Sequence, residues 1–185
     1  MKKTVLAFTA LAALASGSAF AQQAYVGGAV GQSHVNLDCS GVPNCTTNDT
    51  GYKVFGGYKF TPNLAGELTY FDWGKASGSN GAARAEVRGT GFGLGVAFMG
   101  DMAPQWSAVG RLGVATNKAK GEGTFNGAVV VSDSETKTTA YAGVGIGYAV
   151  TPQMTIDAAL DFSNLELSGE KGNVRLFSVG VAFKF

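Results

Sequence analysis

The 185 residues include 28 glycines and 4 prolines, and only 15 % are charged, well under the roughly 25 % of an ordinary soluble domain. A mean hydropathy of +0.11 is too low for a bundle of membrane helices. A formal charge of +1 with no basic stripe argues against nucleic acid as a partner.

The chain opens with an export signal. Lys2 and Lys3 form a charged n-region, Thr4 to Ala15 an apolar stretch too short to span a bilayer, and Ala19-Phe20-Ala21 a small-x-small cleavage site. Cleavage is expected after Ala21, making residues 1–21 a signal peptide and residues 22–185 one mature domain. Without Lys2 and Lys3 the 14 basic residues fall to 12 against 13 acidic ones, a net charge of −1. No later apolar run is long enough for a membrane helix. A membrane location then requires a closed barrel, because only helices and barrels satisfy every backbone group in lipid.

Eight strand-like segments follow, each near the ~10 residues that a tilted membrane strand needs. The first, about Ala24 to His34, has Val26, Gly28 and Val30 on one face. The second, about Thr50 to Phe60, sets Tyr52, Val54, Tyr58 and Phe60 against Lys53 and Lys59. The third, about Leu64 to Trp73, sets Leu64, Leu68 and Tyr70 against Glu67 and Thr69. In the fourth, about Val87 to Met99, Phe92, Leu94, Val96 and Phe98 alternate with Gly91, Gly93, Gly95 and Ala97. The fifth, about Trp106 to Asn117, sets Leu112 and Val114 against Arg111. The sixth, about Lys137 to Val150, sets Val144, Ile146 and Tyr148 against three glycines. The seventh, about Met154 to Ser163, sets Ile156, Leu160 and Phe162 against Asp157 and Asp161. The eighth, about Val174 to Phe185, carries Phe177, Val179, Val181, Phe183 and Phe185 on one face. Period-two alternation makes two-faced strands, and apolar against small or polar is the pattern of a barrel with lipid outside and a filled lumen.

Connections alternate in length. Residues 61–63, 100–105 and 151–153 are short turns, whereas 35–49, 74–86, 118–136 and 164–173 read as longer polar loops. That asymmetry predicts an all-β, eight-stranded antiparallel up-and-down transmembrane β-barrel, with termini and short turns periplasmic and long loops extracellular. Cys39 and Cys45 fall in the first long loop. Export permits a disulfide between them, contributing ~2 kcal/mol through loop closure. Zinc needs about four ligands and His34 is the sole histidine, so a disulfide is preferred and no metal or other cofactor is expected.

The run Val54-Phe55-Gly56-Gly57-Tyr58-Lys59-Phe60-Thr61-Pro62-Asn63-Leu64-Ala65-Gly66-Glu67-Leu68-Thr69-Tyr70 resembles the transmembrane domain of OmpA-like outer-membrane barrels. So do Gly110-Arg111-Leu112-Gly113 and Tyr141-Ala142-Gly143, the latter leading to Tyr148-Ala149-Val150-Thr151-Pro152. The resemblance implies an eight-stranded barrel with a plugged lumen, closed by a terminal aromatic strand that the barrel-assembly machinery reads. In that group lumenal acids and bases pair in a network proposed to gate a small pore. Glu67 and Arg111 match two of its positions, whereas Gly95 and Gly147 stand where other charged members would be and Asp157 where a base would be. The peptidoglycan-binding domain of full-length members does not follow, so cell-wall anchoring is not expected.

The inward charges are Lys53, Lys59, Glu67, Arg111, Asp157 and Asp161, with Arg175 and Lys184 as further candidates. An eight-stranded interior is just wide enough for side chains to fill, and buried charges must pair. Lys53, Glu67, Arg111, Asp157 and Asp161 are therefore read as a lumenal polar plug, with Glu67 and Arg111 an expected pair and an ion path the alternative. Ser33 and His34 are placed as a surface acyltransferase would need, yet read as solvated strand-end residues, and no enzymatic activity is expected. Lys75, Arg84, Glu86, Arg88, Lys118, Lys120 and Glu122 read as loop charge near lipopolysaccharide, or as recognition sites of the OmpX and Ail kind.

The expected function is that of an integral outer-membrane protein with a structural or surface-exposed envelope role, its long loops available for interaction or adhesion. The rivals are a small solute or ion channel and a soluble periplasmic ligand-binding barrel of lipocalin type. The expected partners are membrane lipid, lipopolysaccharide, the assembly machinery and an unidentified surface ligand, and the chain is expected to be a monomer.

Overall fold

The structure is a computed structural model that describes residues 24–36, 44–81, 83–126, 128–167 and 170–185. The expected signal peptide and Cys39 lie outside the described residues. The strands are β1 (Ala24–Val35), β2 (Asn44–Thr46), β3 (Asn48–Thr61), β4 (Leu64–Asn80), β5 (Ala83–Ala103), β6 (Trp106–Phe125), β7 (Ala128–Ala149), β8 (Met154–Leu167) and β9 (Glu170–Lys184). Eight of them form an antiparallel ring, with β3 to β9 each beside its chain neighbour. β1 closes it, pairing with β3 on one side and β9 on the other, from Tyr25↔Lys184 to Val35↔Val174. The short β2 lies outside the ring and extends the far end of β4.

The sheet is apolar on its outer face. On β5, Phe92 is 69 % exposed while Ala97, inside, is 0 % exposed. Leu68, Leu112, Val144 and Phe177 also point outward. Two aromatic groups bound this band. Tyr52, Tyr70 and Phe92 cluster at one end with ring centroids 6.3 and 5.0 Å apart. Trp106 with Tyr148 (5.1 Å) and Tyr58 with Phe60 (5.7 Å) mark the other.

The end with Trp106 carries the tight turns. At one of them the Thr151 hydroxyl accepts from the amides of Gln153 (3.3 Å) and Met154 (2.9 Å). The opposite end differs from the sequence expectation. Most of residues 74–86, 118–136 and 164–173 are not loops; the strands run on as hairpins that pair to Asn80↔Ala83, Phe125↔Ala128 and Leu167↔Glu170. The Asn80-Gly81 and Asn126-Gly127 dipeptides are hairpin-turn signals, and Gly81 and Asn126 adopt φ +61° and +49°. β7 has 22 residues, about twice what a tilted membrane strand needs, so nearly half of it projects beyond the aromatic boundary.

Glycines on the inner face make room for rings. Tyr25 lies opposite Gly57 and Phe55 opposite Gly27 on the β1–β3 pair. A Cβ at Gly57 would enter the Tyr25 ring, and one at Gly27 the Phe55 ring. The two rings meet edge to face, 6.4 Å apart. Gly57→Val should therefore destabilise the folded barrel by roughly 1–3 kcal/mol. Gly100→Ala, where a Cβ meets nothing within 4 Å, should leave stability near the parent's. Urea unfolding in lipid vesicles reads both.

Candidate functional site: the barrel interior

The lumen is crossed by side chains from opposite walls. Glu67 on β4 accepts from Arg111 Nε on β6 at 2.8 Å, from the Tyr25 hydroxyl on β1 at 2.9 Å, and from the Thr69 hydroxyl at 3.3 Å. Lys53 on β3 donates to Asp161 on β8, and the Tyr141 hydroxyl on β7 donates to the same carboxylate at 3.2 Å. Arg111 is 5 % exposed, Lys53 1 % and Asp161 0 %. Phe55 lies between the two cations, its centroid 5.6 Å from Lys53 Nζ and 5.2 Å from Arg111 Cζ, within cation–π range. Two ion pairs and the two tyrosine hydroxyls that join them thus tie six strands together across the lumen.

Asp157 lines the lumen too but stands apart from these pairs. Neither of its carboxylate oxygens has a hydrogen-bond partner, and both lie buried. With Arg111, Lys59 and Lys184 it lines a cavity of about 650 Å³ that enters from the tight-turn end. Arg175, a further inward candidate, faces outward and is exposed. It pairs with His34 in register, whereas its neighbour Leu176 is fully buried.

Above the ion pairs an aromatic layer closes the hairpin end of the lumen. Phe71 and Trp73 stack at 4.4 Å, and Tyr141 meets Phe71 edge-on at 5.1 Å. Sequence alternation placed only Glu67 and Thr69 on the inward face of this strand, although Phe71 and Trp73 lie within the same segment. Its continuing inward period, Glu67, Thr69, Phe71, Trp73, was the available signal. Asn117 completes the layer: its Oδ1 accepts from Trp73 Nε1 at 3.1 Å, and its Nδ2 donates to Ser163 Oγ (2.8 Å) and the Asn164 carbonyl (2.9 Å).

Those contacts sit where the wall parts. The β7–β8 ladder ends at Ala142↔Phe162, while β7 continues beside β6 and β8 beside β9. Just beyond, side chains replace the ladder. The Ala140 carbonyl accepts from Ser163 Oγ and the Asn164 carbonyl from Thr139 Oγ1, both at 3.2 Å. Further out, Lys137 bridges Glu135 and Glu166 at 3.3 Å each. Its hydrogen bonds to the two carboxylates hold its ammonium above the ordinary lysine range.

Residues 4–185 match the family model of the outer membrane protein β-barrel domain. The chain belongs to that outer-membrane β-barrel family. It is 28 % identical over 203 aligned residues to outer membrane protein A of Shigella flexneri and of Salmonella typhi, and it spans only 56 % of the length of each. Solved barrels share the fold. Ail of Yersinia pestis is 20 % identical with a TM-score of 0.59, covering 89 % of this chain and 99 % of that one. Neisserial surface protein A is 16 % identical, with a TM-score of 0.62 and coverage of 88 % and 97 %. OprG of Pseudomonas aeruginosa is 14 % identical, with a TM-score of 0.57 and coverage of 89 % and 96 %.

The outward apolar band therefore faces the lipid of the outer membrane. Phe177, Val179, Phe183 and Phe185 are exposed on the outer face and Val181 is half-buried. Ser33 points inward and is buried, whereas His34 faces outward and hydrogen-bonds Asn48 at 2.7 Å. The two do not share a face, and an acyltransferase pairing has no support in that arrangement. Among the described residues no cluster of three potential ligands could hold a metal ion. Cys45 lies in β2 opposite Gly78 and is not a free thiol.

Each buried ion pair should resist the loss of one partner more than the loss of both. Glu67→Gln and Arg111→Met singly should each cost about 3–5 kcal/mol, and the double variant clearly less than the sum. Lys53→Met with Asp161→Asn should behave likewise. Asn117→Ala should cost roughly 1–3 kcal/mol by leaving the buried Trp73 Nε1–H unpaired. Unfolding midpoints in vesicles measure all three, and additive effects would refute the pairings.

Proposed function

We propose that this outer-membrane barrel is a closed membrane anchor that presents its long hairpins for interaction at the cell surface, and that it is neither an enzyme nor an open pore. The observation that carries the reading is the double closure of the lumen. The Lys53–Asp161 and Glu67–Arg111 pairs cross it, and the Phe71–Trp73–Tyr141 layer lies above them. By contrast, the β4–β5 and β6–β7 hairpins extend well past the aromatic boundary. Rigid scaffolds that carry long projections commonly place function there.

In this reading the tight turns and termini are periplasmic and the hairpins extracellular, following the loop asymmetry of outer-membrane barrels. The signal peptide ends at Ala21, a Cys39–Cys45 disulfide ties the segment before β3, and the outward aromatics of β9 are read by the assembly machinery. The barrel acts as a monomer among lipid and lipopolysaccharide, and the ligand of its hairpins is a surface partner. The cavity around Asp157 favours a second reading, a small channel, because a polar vestibule already enters from one end.

Planar-bilayer recording of the purified barrel separates the two readings. The anchor should be silent, and discrete conductance steps would support the channel. Intact mass of protein recovered from outer membranes should match a chain that begins at Gln22 and is two hydrogen atoms lighter than its fully reduced form.

A further inference from the structure

Where the outer face leaves the apolar band, basic residues line up across neighbouring strands. Lys75 on β4 lies directly opposite Arg88 on β5, and Arg88 directly opposite Lys120 on β6. One step nearer the band, Lys118 lies opposite Thr90. Like charges placed directly opposite on a sheet repel, so this row stores repulsion that a counter-charge must relieve.

The nearby acids relieve only part of it. Asp72 holds Arg88 at 2.7 Å, and Glu86 lies 3.6 Å from Lys75 and 3.4 Å from Arg84. Glu122 stands opposite Glu86, one step farther from the band. Among the described residues neither Lys118 nor Lys120 enters an ion pair, and both are exposed.

The depth of the row identifies what would meet it. Tyr70 and Phe92, 5.0 Å apart, form the aromatic boundary at this end. On β5 the outward residues after Phe92 toward the hairpin are Thr90 and Arg88. From Met102 to Phe92 is ten residues, which at ~3.3 Å per residue and a ~40° tilt fills the ~25 Å apolar height of an outer-membrane barrel. Lys118, Arg88, Lys120 and Lys75 therefore sit at the level of lipid head groups and not far out in solvent.

We propose that this row is a binding site for the phosphate groups of a phosphorylated glycolipid in the outer leaflet. Lys118 and Lys120 supply the uncompensated charge. Arg88, fixed by Asp72, keeps N–H groups free to donate beside them, and the acyl chains lie over Phe92, Leu94 and Val114. The assignment deepens the proposed surface role and rests on its orientation, with hairpins outside.

Native mass spectrometry of the folded barrel with bisphosphorylated lipid A, and with its dephosphorylated form, tests the site. Wild type should retain the phosphorylated lipid and release the other. The double variant Lys118→Gln, Lys120→Gln should bind roughly thirtyfold more weakly, whereas Arg84→Gln, nearer the hairpin tip, should bind as wild type. A heat-modifiable gel shift confirms that each variant is folded. Equal retention by the double variant, or equal binding of the dephosphorylated lipid, would overturn the site. Orientation is read separately, by labelling Ser132→Cys on intact cells with a membrane-impermeant maleimide. Labelling is expected; its absence would overturn the outward orientation and the leaflet assigned here, whatever the binding arm gives.

Discussion

Everything in this molecule depends on the pairing of β1 with β9. A sheet whose first and last strands stayed apart would hold two rows of unpaired amides and carbonyls in hydrocarbon, and each such group costs several kcal/mol there. Pairing from Tyr25↔Lys184 to Val35↔Val174 removes both edges along the whole of β1. Closure also fixes the interior. Eight strands leave a space that side chains must fill, and so the alternate residues of every strand become parts of one core. The outward residues are freed from packing and need only be apolar.

That division explains the glycines. A ring such as Tyr25 or Phe55 can lie flat inside a narrow barrel only where the facing strand offers no side chain, and Gly57 and Gly27 are those positions. Gly91 serves Asn117 in the same way, since a Cβ there would strike the Asn117 amide oxygen. Asn117 then reaches the Asn164 carbonyl where the β7–β8 ladder ends. A glycine on one strand, an amide on the next and an unladdered carbonyl beyond it are one device, and the parting of the wall depends on it to leave few orphaned groups.

The barrel was legible in sequence because period-two alternation is a local property. Phe92 to Phe98 on β5 shows both faces within seven residues. The pairs were partly legible: parity turns Glu67 and Arg111 inward and the family resemblance matches them to two positions of a lumenal network, but the partner of Asp161 depends on which walls face each other across the lumen, and that emerges only on closure. Arg175 was misread because it lies where the outward apolar run of β9 gives way to polar residues. The hairpins were misread because polar residues such as Ser77, Ser132 and Thr136 suggest loops by composition, although the ladders that they join run on toward the hairpin ends with a single register shift in each. The Asn-Gly turns were the better guide. Asn117 and Trp73 were missed since neither breaks the alternation around it.

The charged plug raises the question of why the interior is not simply apolar. A buried ion pair seldom stabilises more than a well-packed apolar substitute would. Its effect here is on register. Because side chains alternate, a slip of one residue in any strand exchanges its two faces. For β3 that would turn Lys53 to lipid, for β6 Arg111, and for β8 both Asp157 and Asp161. A basic residue at the bilayer midplane costs about 2–4 kcal/mol, and its former partner would remain buried without a counter-charge. An apolar interior would carry no such penalty, since both faces of a slipped strand would then suit lipid. With Lys53–Asp161 joining β3 to β8 and Glu67–Arg111 joining β4 to β6, no strand among these four can shift without exposing a charge. The plug therefore favours one register of the barrel over its slipped alternatives, alongside the fit of Tyr25 and Phe55 against Gly57 and Gly27.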